Sequence, residues 1–182
     1  MARVCVFCAS SMGNDPRYAA AARGVGELLA RRGLGLVYGG AMVGLMGVVA
    51  DAVLAGGGEV VGVIPQGLET KEVAHRGLSA LHVTRGMHER KAMMYELSDA
   101  FLTLPGGYGT MDELFETLTW AQLGEHKKGV GLLDVAGFYT PLLAFLDVQV
   151  KAGLLRPEYR GMLAVDDDAE RLLQRLLPGA RP

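Results

Sequence analysis

Several features that mark membrane, secreted or nucleic-acid-binding proteins are scarce in this chain of 182 residues. Lysine and arginine form no basic run, aromatic residues make up 7%, and the formal net charge is −2. Because a nucleic-acid-binding surface normally shows as a basic face, we expect no nucleic-acid partner. The apolar runs fall short of the roughly 20 residues that cross a bilayer. The stretch Met1–Phe7 reads as a strand rather than a signal peptide, which predicts a cytoplasmic protein without a membrane partner.

Cysteine is also rare, and the two that occur, Cys5 and Cys8, form a C-x-x-C motif. A metal site needs further ligands at suitable spacing. The histidines are instead scattered singly, at His75, His82, His88 and His126. A redox dithiol usually lies where a loop enters a helix, whereas Cys5 falls inside a predicted strand. We therefore expect two reduced thiols near the core, no metal and no cofactor.

What the chain does contain is an apolar half and a regular alternation of strand and helix patterns. The length and composition suit one globular domain over residues 1–182. Strands are predicted at Arg3–Phe7, Gly35–Tyr38, Glu59–Ile64, Ala80–Val83, Ala100–Leu104, Gly129–Leu133 and Leu163–Val165. Helices are predicted at about Pro16–Arg32, Gly44–Ala55, Met87–Leu97, Met111–Leu123, Tyr139–Ala152 and Ala169–Leu177. Since the strands are almost continuously apolar, we predict an α/β fold with a doubly wound, mostly parallel sheet covered by helices on both faces.

A glycine-rich loop at Pro105–Thr110 follows a buried strand and precedes a helix. Glycines let a ligand approach the backbone, and the free N–H groups and dipole of a helix start favour an anion. Three glycines in four positions favour a phosphate site over a simple tight turn. The spacing matches neither the dinucleotide fingerprint nor a P-loop. A second, less regular segment, Gln66–Gly77, is interpreted as a functional or edge loop.

The carboxylates after this loop allow two interpretations. Thr110 and Glu113 have the spacing of a capping box, which on spacing alone favours a structural role for Glu113. Asp112 and Glu113 would also weaken the binding of a phosphate unless a carboxylate has another use. Glu113 lies off the apolar stripe of its predicted helix, which consists of Met111, Leu114, Phe115 and Leu118.

Arg90 stands in the middle of an apolar helix face whose other members are Met87, Met93, Met94 and Leu97. A charge there must be paired or reach a polar site, unless its side chain extends to the surface. With Lys91 next to it, we favour a functional role against a carboxylate or phosphate. Two weaker elements follow the first two strands. The segment Cys8-Ala9-Ser10-Ser11 could offer hydroxyl or N–H groups to the same crevice. Close helix packing would explain Gly39 and Gly40 as well as a ligand would.

Three motifs together resemble the LOG (Lonely Guy) family of cytokinin riboside 5′-monophosphate phosphoribohydrolases, long labelled lysine decarboxylases. They are Tyr38-Gly39-Gly40, Met87–Lys91 (M-H-E-R-K) and Pro105–Glu113 (P-G-G-Y-G-T-M-D-E). The resemblance runs from about Val4 to Leu155. It implies a Rossmann-like fold, a homodimer or an assembly of dimers, and no cofactor. It also implies hydrolysis of the N-glycosidic bond of an adenine-type nucleoside 5′-monophosphate to free base and ribose 5-phosphate.

The resemblance also assigns residues. The family's catalytic arginine and glutamate match Arg90 and Glu113. Its substrate contacts match further positions in this chain. Together with residues that follow the first two predicted strands, they make up the predicted substrate site: Ser10, Gly39, Gly40, Glu72, Lys91, Gly106, Gly107, Tyr108, Gly109, Thr110 and Thr119. The chain has Ala41 where a third glycine is common in the family.

Two other functions are compatible with the same motifs. A non-catalytic nucleotide-binding module would use the same phosphate loop and bind AMP-like ligands without turnover. A decarboxylase would need pyridoxal phosphate on a Schiff-base lysine, for which Lys91 is the candidate. If the protein is a LOG enzyme, its sequence is compatible with a preference for either a cytokinin-type base or adenine, because base recognition depends on pocket shape and not on a motif.

Overall fold

One sheet of parallel strands forms the centre of the protein in a computed structural model that describes residues 1–68 and 74–179. The strands are β1 Arg3–Phe7, β2 Gly35–Tyr38, β3 Val60–Pro65, β4 Ala80–Thr84, β5 Ala100–Thr103, β6 Gly129–Leu133 and β7 Leu163–Asp166. The helices are α1 Pro16–Arg31, α2 Gly44–Ala55, α3 Met87–Glu96, α4 Tyr108–Leu123, α5 Thr140–Lys151, α6 Pro157–Arg160 and α7 Ala169–Leu176. A 3₁₀ turn, Val135–Gly137, precedes α5.

Most of these elements lie within one or two residues of their predicted bounds. The exception is α4, which begins at Tyr108 and not at Met111. Two short elements were not predicted, the turn Val135–Gly137 and the four-residue helix α6. Neither is long enough to show a hydrophobic period, so the sequence pattern carried no signal for them.

The strands are ordered β4-β3-β2-β1-β5-β6-β7, and each pair of neighbours is parallel. Strand order therefore proceeds in opposite directions on the two sides of β1. In open α/β sheets, the crevice at such a switch point, outside the carboxyl ends of the strands, is where ligands bind. We therefore expect a ligand-binding site in the crevice between β1 and β5.

Side chains from the two faces of the sheet form two separate cores. Val4 and Val6 of β1 pack in one core together with buried residues of α1, α2 and α7. Cys5 and Phe7, which alternate with them, pack in the other core with Met94 of α3 and with buried residues of α4 and α5. Helices thus cover both faces, and the predicted doubly wound α/β fold is confirmed. None of the helices in the described ranges is both long enough and apolar enough to traverse a bilayer.

Candidate active site

The segments that follow β1, β2 and β5 meet at the carboxyl edge of the sheet. Backbone hydrogen bonds join them, because Ala9 N–H donates to Pro105 O at 3.2 Å and Leu45 N–H donates to Ala9 O at 3.1 Å. They enclose a crevice of about 240 Å³. Its walls are formed by Val6, Cys8, Ala9, Ser10, Ser11, Gly39, Met46, Arg90, Gly107, Tyr108, Gly109, Thr110 and Glu113.

The start of α4 forms one wall of this crevice. Gly107 is the N-cap, and no side chain of the described residues caps the helix. The first N–H groups of a helix have no partner within it, and the helix dipole adds partial positive charge at the same end. The arrangement therefore provides a site for an anion such as a phosphate.

The glycines of this loop differ in what the fold requires of them. A Cβ on Gly106 would overlap the side chain of Thr110, so this glycine is needed for packing. Neither Gly107 nor Gly109 has a positive φ, and apart from neighbouring backbone no atom of the described residues lies within 4 Å of a Cβ added to either. The protein itself does not require glycine at these two positions. Their open sides leave backbone accessible to a ligand in the crevice.

The capping-box interpretation of Glu113 is wrong. Thr110 is the third residue of α4 and Glu113 the sixth, so Thr110 does not occupy the N-cap position that a capping box requires. The predicted apolar stripe is confirmed except at one position, because Leu114 is buried and Met111 and Leu118 pack, partly buried, against the core. The buried positions of α4 are Thr110, Leu114 and Thr117, whereas Phe115 is 36% exposed. The capping-box error follows from starting the helix three residues late. Glycine is a poor helix former, so the sequence pattern places Gly109 in the loop, although it lies in the first turn of α4.

The guanidinium of Arg90 lies inside the crevice, in a residue only 8% exposed. Its Nε donates to Val63 O at 3.0 Å and its Nη2 donates to Gly39 O at 3.5 Å. Its Nη1 lies 3.6 Å from Oε1 of Glu113, whose side chain is 12% exposed. Because the charge is paired and its N–H groups meet backbone oxygens, burial is offset without the side chain extending to the surface.

Lys91 points into a different environment. Its Nζ lies 3.1 Å from Asp112 Oδ2 and 3.0 Å from Glu116 Oε1. Burial lowers the pKa of Lys91, but the hydrogen bonds with Glu116 and Asp112 outweigh it, and the pKa is raised overall. Asp112 is thus engaged by Lys91 and Glu113 by Arg90. This pairing removes the conflict that two carboxylates beside an anion site would otherwise create.

Comparison with known proteins agrees with this geometry. The family model described as "Possible lysine decarboxylase" matches residues 46–176. The rice (Oryza sativa subsp. japonica) cytokinin riboside 5′-monophosphate phosphoribohydrolase LOG is 48% identical over 174 residues, covering 96% of this chain and 72% of the rice protein. Arabidopsis thaliana LOG1, which is named for the same activity, is 47% identical over 174 residues, with coverages of 96% and 82%. The chain belongs to the LOG family.

Solved structures support the fold of this LOG-family member. The Moco carrier protein from Chlamydomonas reinhardtii superposes with a TM-score of 0.70 at 20% identity, covering 96% of this chain and 99% of that one. The molybdenum cofactor binding protein from Rippkaea orientalis gives a TM-score of 0.69 at 19% identity, with coverages of 95% and 93%. At such identities the likeness concerns the fold alone.

The structure brings together most, but not all, of the predicted site residues of the LOG motifs. Those that line the crevice are Ser10, Gly39, Arg90, Gly107, Tyr108, Gly109, Thr110 and Glu113. Gly40 and Gly106 belong to the segments that border the crevice but are not among its lining residues. Lys91 lines a small neighbouring cavity. Thr119 lies on a groove between α4 and α5, where its hydroxyl donates to Phe115 O at 2.7 Å. Glu72 lies outside the described residues.

Some crevice residues were not predicted. Val6 and Met46 contribute to its walls, and Met87 Sδ accepts from Arg90 Nη1 at 3.4 Å. In the sequence, each of these side chains looks like an ordinary core residue. Cys5 and Cys8 are both buried free thiols, as expected, and pack in the cores on opposite faces of the sheet. Burial and the nearby Glu113 carboxylate raise the pKa of both thiols.

A substitution at Gly109 separates stability from binding. Replacing this helical glycine by alanine should raise the free energy of unfolding by up to about 1 kcal/mol, because alanine favours the helix. The added methyl group would enter the space left for an anion and should weaken binding of a nucleoside 5′-monophosphate at least tenfold. Thermal unfolding and ligand titration measure the two effects. Gly24→Ala on α1, where an added Cβ also meets open space, is the control and should affect stability alone. Unchanged affinity in Gly109→Ala would contradict the assignment.

Proposed function

We propose that this protein hydrolyses the N-glycosidic bond of adenine-type nucleoside 5′-monophosphates, releasing the free base and ribose 5-phosphate. The expected substrates are AMP and cytokinin riboside 5′-monophosphates. The observation that carries the proposal is the Arg90–Glu113 pair, placed in the same crevice as the uncapped start of α4. The activity for which the related rice and Arabidopsis enzymes are named supports it.

The phosphate of the substrate binds at the start of α4. The N–H groups of Tyr108, Gly109 and Thr110 belong to the first turn and suit the 5′-phosphate. Glu113 follows one turn later on the same helix, so a phosphate bound at the helix start directs the ribose toward its carboxylate. Binding energy from this non-reacting group then fixes the position of the reacting carbon.

Glu113 carries the chemistry at the ribose. Cleavage of a ribosyl C–N bond passes through an oxocarbenium-like state, whose positive charge a carboxylate stabilises. The same carboxylate orients a water molecule and accepts its proton as the oxygen bonds to C1′. The electron pair of the C1′–N bond leaves with the base, which gains a proton. Arg90 holds the carboxylate in place through the 3.6 Å contact of its Nη1 with Oε1.

The structure weighs against the decarboxylase alternative. A Schiff-base lysine must lose its proton, and active sites promote this by lowering the pKa. Lys91 has instead a raised pKa and lies between two carboxylates. Its ammonium group therefore stays charged, and it serves to join α3 to α4 beside the catalytic pair.

We further propose that the enzyme is a cytoplasmic homodimer of a single domain, residues 1–182. Support for the dimer comes from exposed apolar side chains on neighbouring helices, Phe115 of α4 and Phe145 and Val148 of α5. Phe145 and Val148 are each 57% exposed. Apolar surface of this kind is typical of an interface between subunits.

The dimer can be tested by introducing charge into this surface. Val148→Glu would place a carboxylate in a desolvated interface, so light scattering at micromolar concentration should show dimer for the wild type and monomer for the variant. Arg23→Glu, at an exposed position of α1 on the opposite face of the sheet, is the control and should remain dimeric. A wild-type protein that is monomeric and active at this concentration would refute the proposal.

The requirement for the phosphate can be tested with matched substrates. AMP and adenosine share the scissile bond, but adenosine lacks the group that α4 binds. We expect kcat/KM to differ between them by orders of magnitude, because binding energy of the phosphate is used at the reacting carbon. Chromatography of the free base measures both reactions, and isopentenyladenosine 5′-monophosphate in the same assay determines the base preference. Equal cleavage of AMP and adenosine would overturn the phosphate assignment.

The role of Glu113 can be tested by Glu113→Gln. The amide keeps an oxygen for Arg90 but loses the charge, so the variant should fold and bind AMP while kcat falls 100-fold or more, about 3 kcal/mol in the barrier. Glu116→Gln, one turn away on α4 and paired with Lys91, is the matched control and should retain turnover within a few-fold. A Glu113→Gln enzyme with near wild-type kcat would show that the carboxylate is not catalytic.

A further inference from the structure

Gly39 stands directly against the guanidinium of Arg90. A Cβ at this position would overlap Arg90 Nη2 and would lie 2.9 Å from Met46 Sδ. The backbone of Gly39 is not in the left-handed region, so its conformation alone would accept a side chain. The need for glycine at position 39 therefore arises from the space that the arginine occupies.

The next residue has a different requirement. Gly40 has a φ of +78°, a conformation that side chains rarely adopt. Its carbonyl oxygen accepts the N–H of His75 at 3.0 Å, which ties the segment after β2 to the chain before β4. The two glycines of the Tyr38-Gly39-Gly40 motif are thus explained separately, Gly39 by Arg90 and Gly40 by its turn.

We infer that Gly39 is a positioning residue for Arg90 and not a contact of the substrate. The guanidinium lies on the Gly39 backbone, with Nη2 donating to Gly39 O at 3.5 Å and Nε donating to Val63 O at 3.0 Å. These two bonds, from the ends of neighbouring strands, fix the plane of the group. Its remaining nitrogen, Nη1, is thereby directed toward Glu113.

A methyl group at position 39 would displace this arrangement. The guanidinium would have to move by about an ångström to clear it, and displacements of this size cost on the order of 100-fold in rate. The phosphate site at the start of α4 would be unaffected. The inference rests on the proposed catalytic role of Arg90, and it predicts a loss in kcat with little change in KM.

The first test is the kinetics of Gly39→Ala with AMP. We expect kcat to fall about 100-fold while KM stays within about threefold. Two glycines of α1 provide controls. Gly24→Ala adds a methyl group in open space. Gly26→Ala adds one 2.6 Å from Ala52 Cβ, so that it overlaps α2 at a position outside the crevice. Both should retain kcat per folded molecule, although Gly26→Ala should lower the melting temperature.

The second test needs no catalytic activity. Thermal unfolding of the wild type, Gly39→Ala, Arg90→Ala and the double variant forms a double-mutant cycle. The decrease in melting temperature caused by Gly39→Ala should be much smaller in the Arg90→Ala background. There the overlapping guanidinium is gone and the flexible Met46 side chain can move. This cycle tests the Gly39–Arg90 contact even if the enzyme proved inactive on every nucleotide offered.

Each result has a defined meaning. A kcat within threefold of wild type in Gly39→Ala would overturn the positioning role. A rise in KM for AMP, with weaker binding of ribose 5-phosphate and unchanged kcat, would make Gly39 a substrate contact instead. Equal losses of melting temperature in the presence and absence of Arg90 would show that the arginine is not what requires glycine. Failure of the wild type to cleave both AMP and isopentenyladenosine 5′-monophosphate, with the cycle as expected, would refute the proposed function and leave the contact established.

Discussion

The buried charge of Arg90 is the constraint on which the site depends. The guanidinium of an arginine that is only 8% exposed is stable only where oxygen atoms surround it. Here they come from the ends of β2 and β3 and from Glu113 on α4. Those three elements are brought together by the strand order around β1. The arginine therefore connects the ends of β2 and β3, near the switch point of the sheet, with α4, whose uncapped start lines the same crevice.

Arg90 and Lys91 form ion pairs beside the crevice, and the carboxylates of these pairs lie on α4. Asp112 and Glu113 are adjacent in sequence, yet one faces Lys91 and the other faces Arg90. Consecutive residues of a helix point about 100° apart, so neighbouring carboxylates reach different cations of α3. Lys91 and Arg90 are likewise consecutive. The two adjacent dipeptides join α3 to α4 and keep the ion pair of Lys91 apart from the Arg90–Glu113 pair in the crevice.

The sequence predicted the sheet and its helices because each element has its own local hydrophobic period. It also placed Arg90 against a carboxylate or phosphate, since a charge in an apolar stripe must be paired. The predicted start of α4 was wrong because glycine is a poor helix former and the pattern placed Gly109 in the loop. The capping box followed from that error, since the spacing of Thr110 and Glu113 fits one wherever the helix begins. The Gly39–Arg90 contact could not be predicted, because it joins residues 51 positions apart. A local sequence pattern does not predict which distant side chain packs against a glycine.

The pairing of β1 with β5 has a consequence for how the protein acquires its site during folding. Val4 pairs with Ala100, and the chain between these two residues contains three further strands, β2, β3 and β4. Such contacts between distant parts of the chain close a large loop and form slowly. Ser10 and Glu113 face the same crevice across this junction. A refolding molecule thus has no crevice until its central strands have joined, and recovery of activity reports completion of the sheet rather than formation of the individual helices.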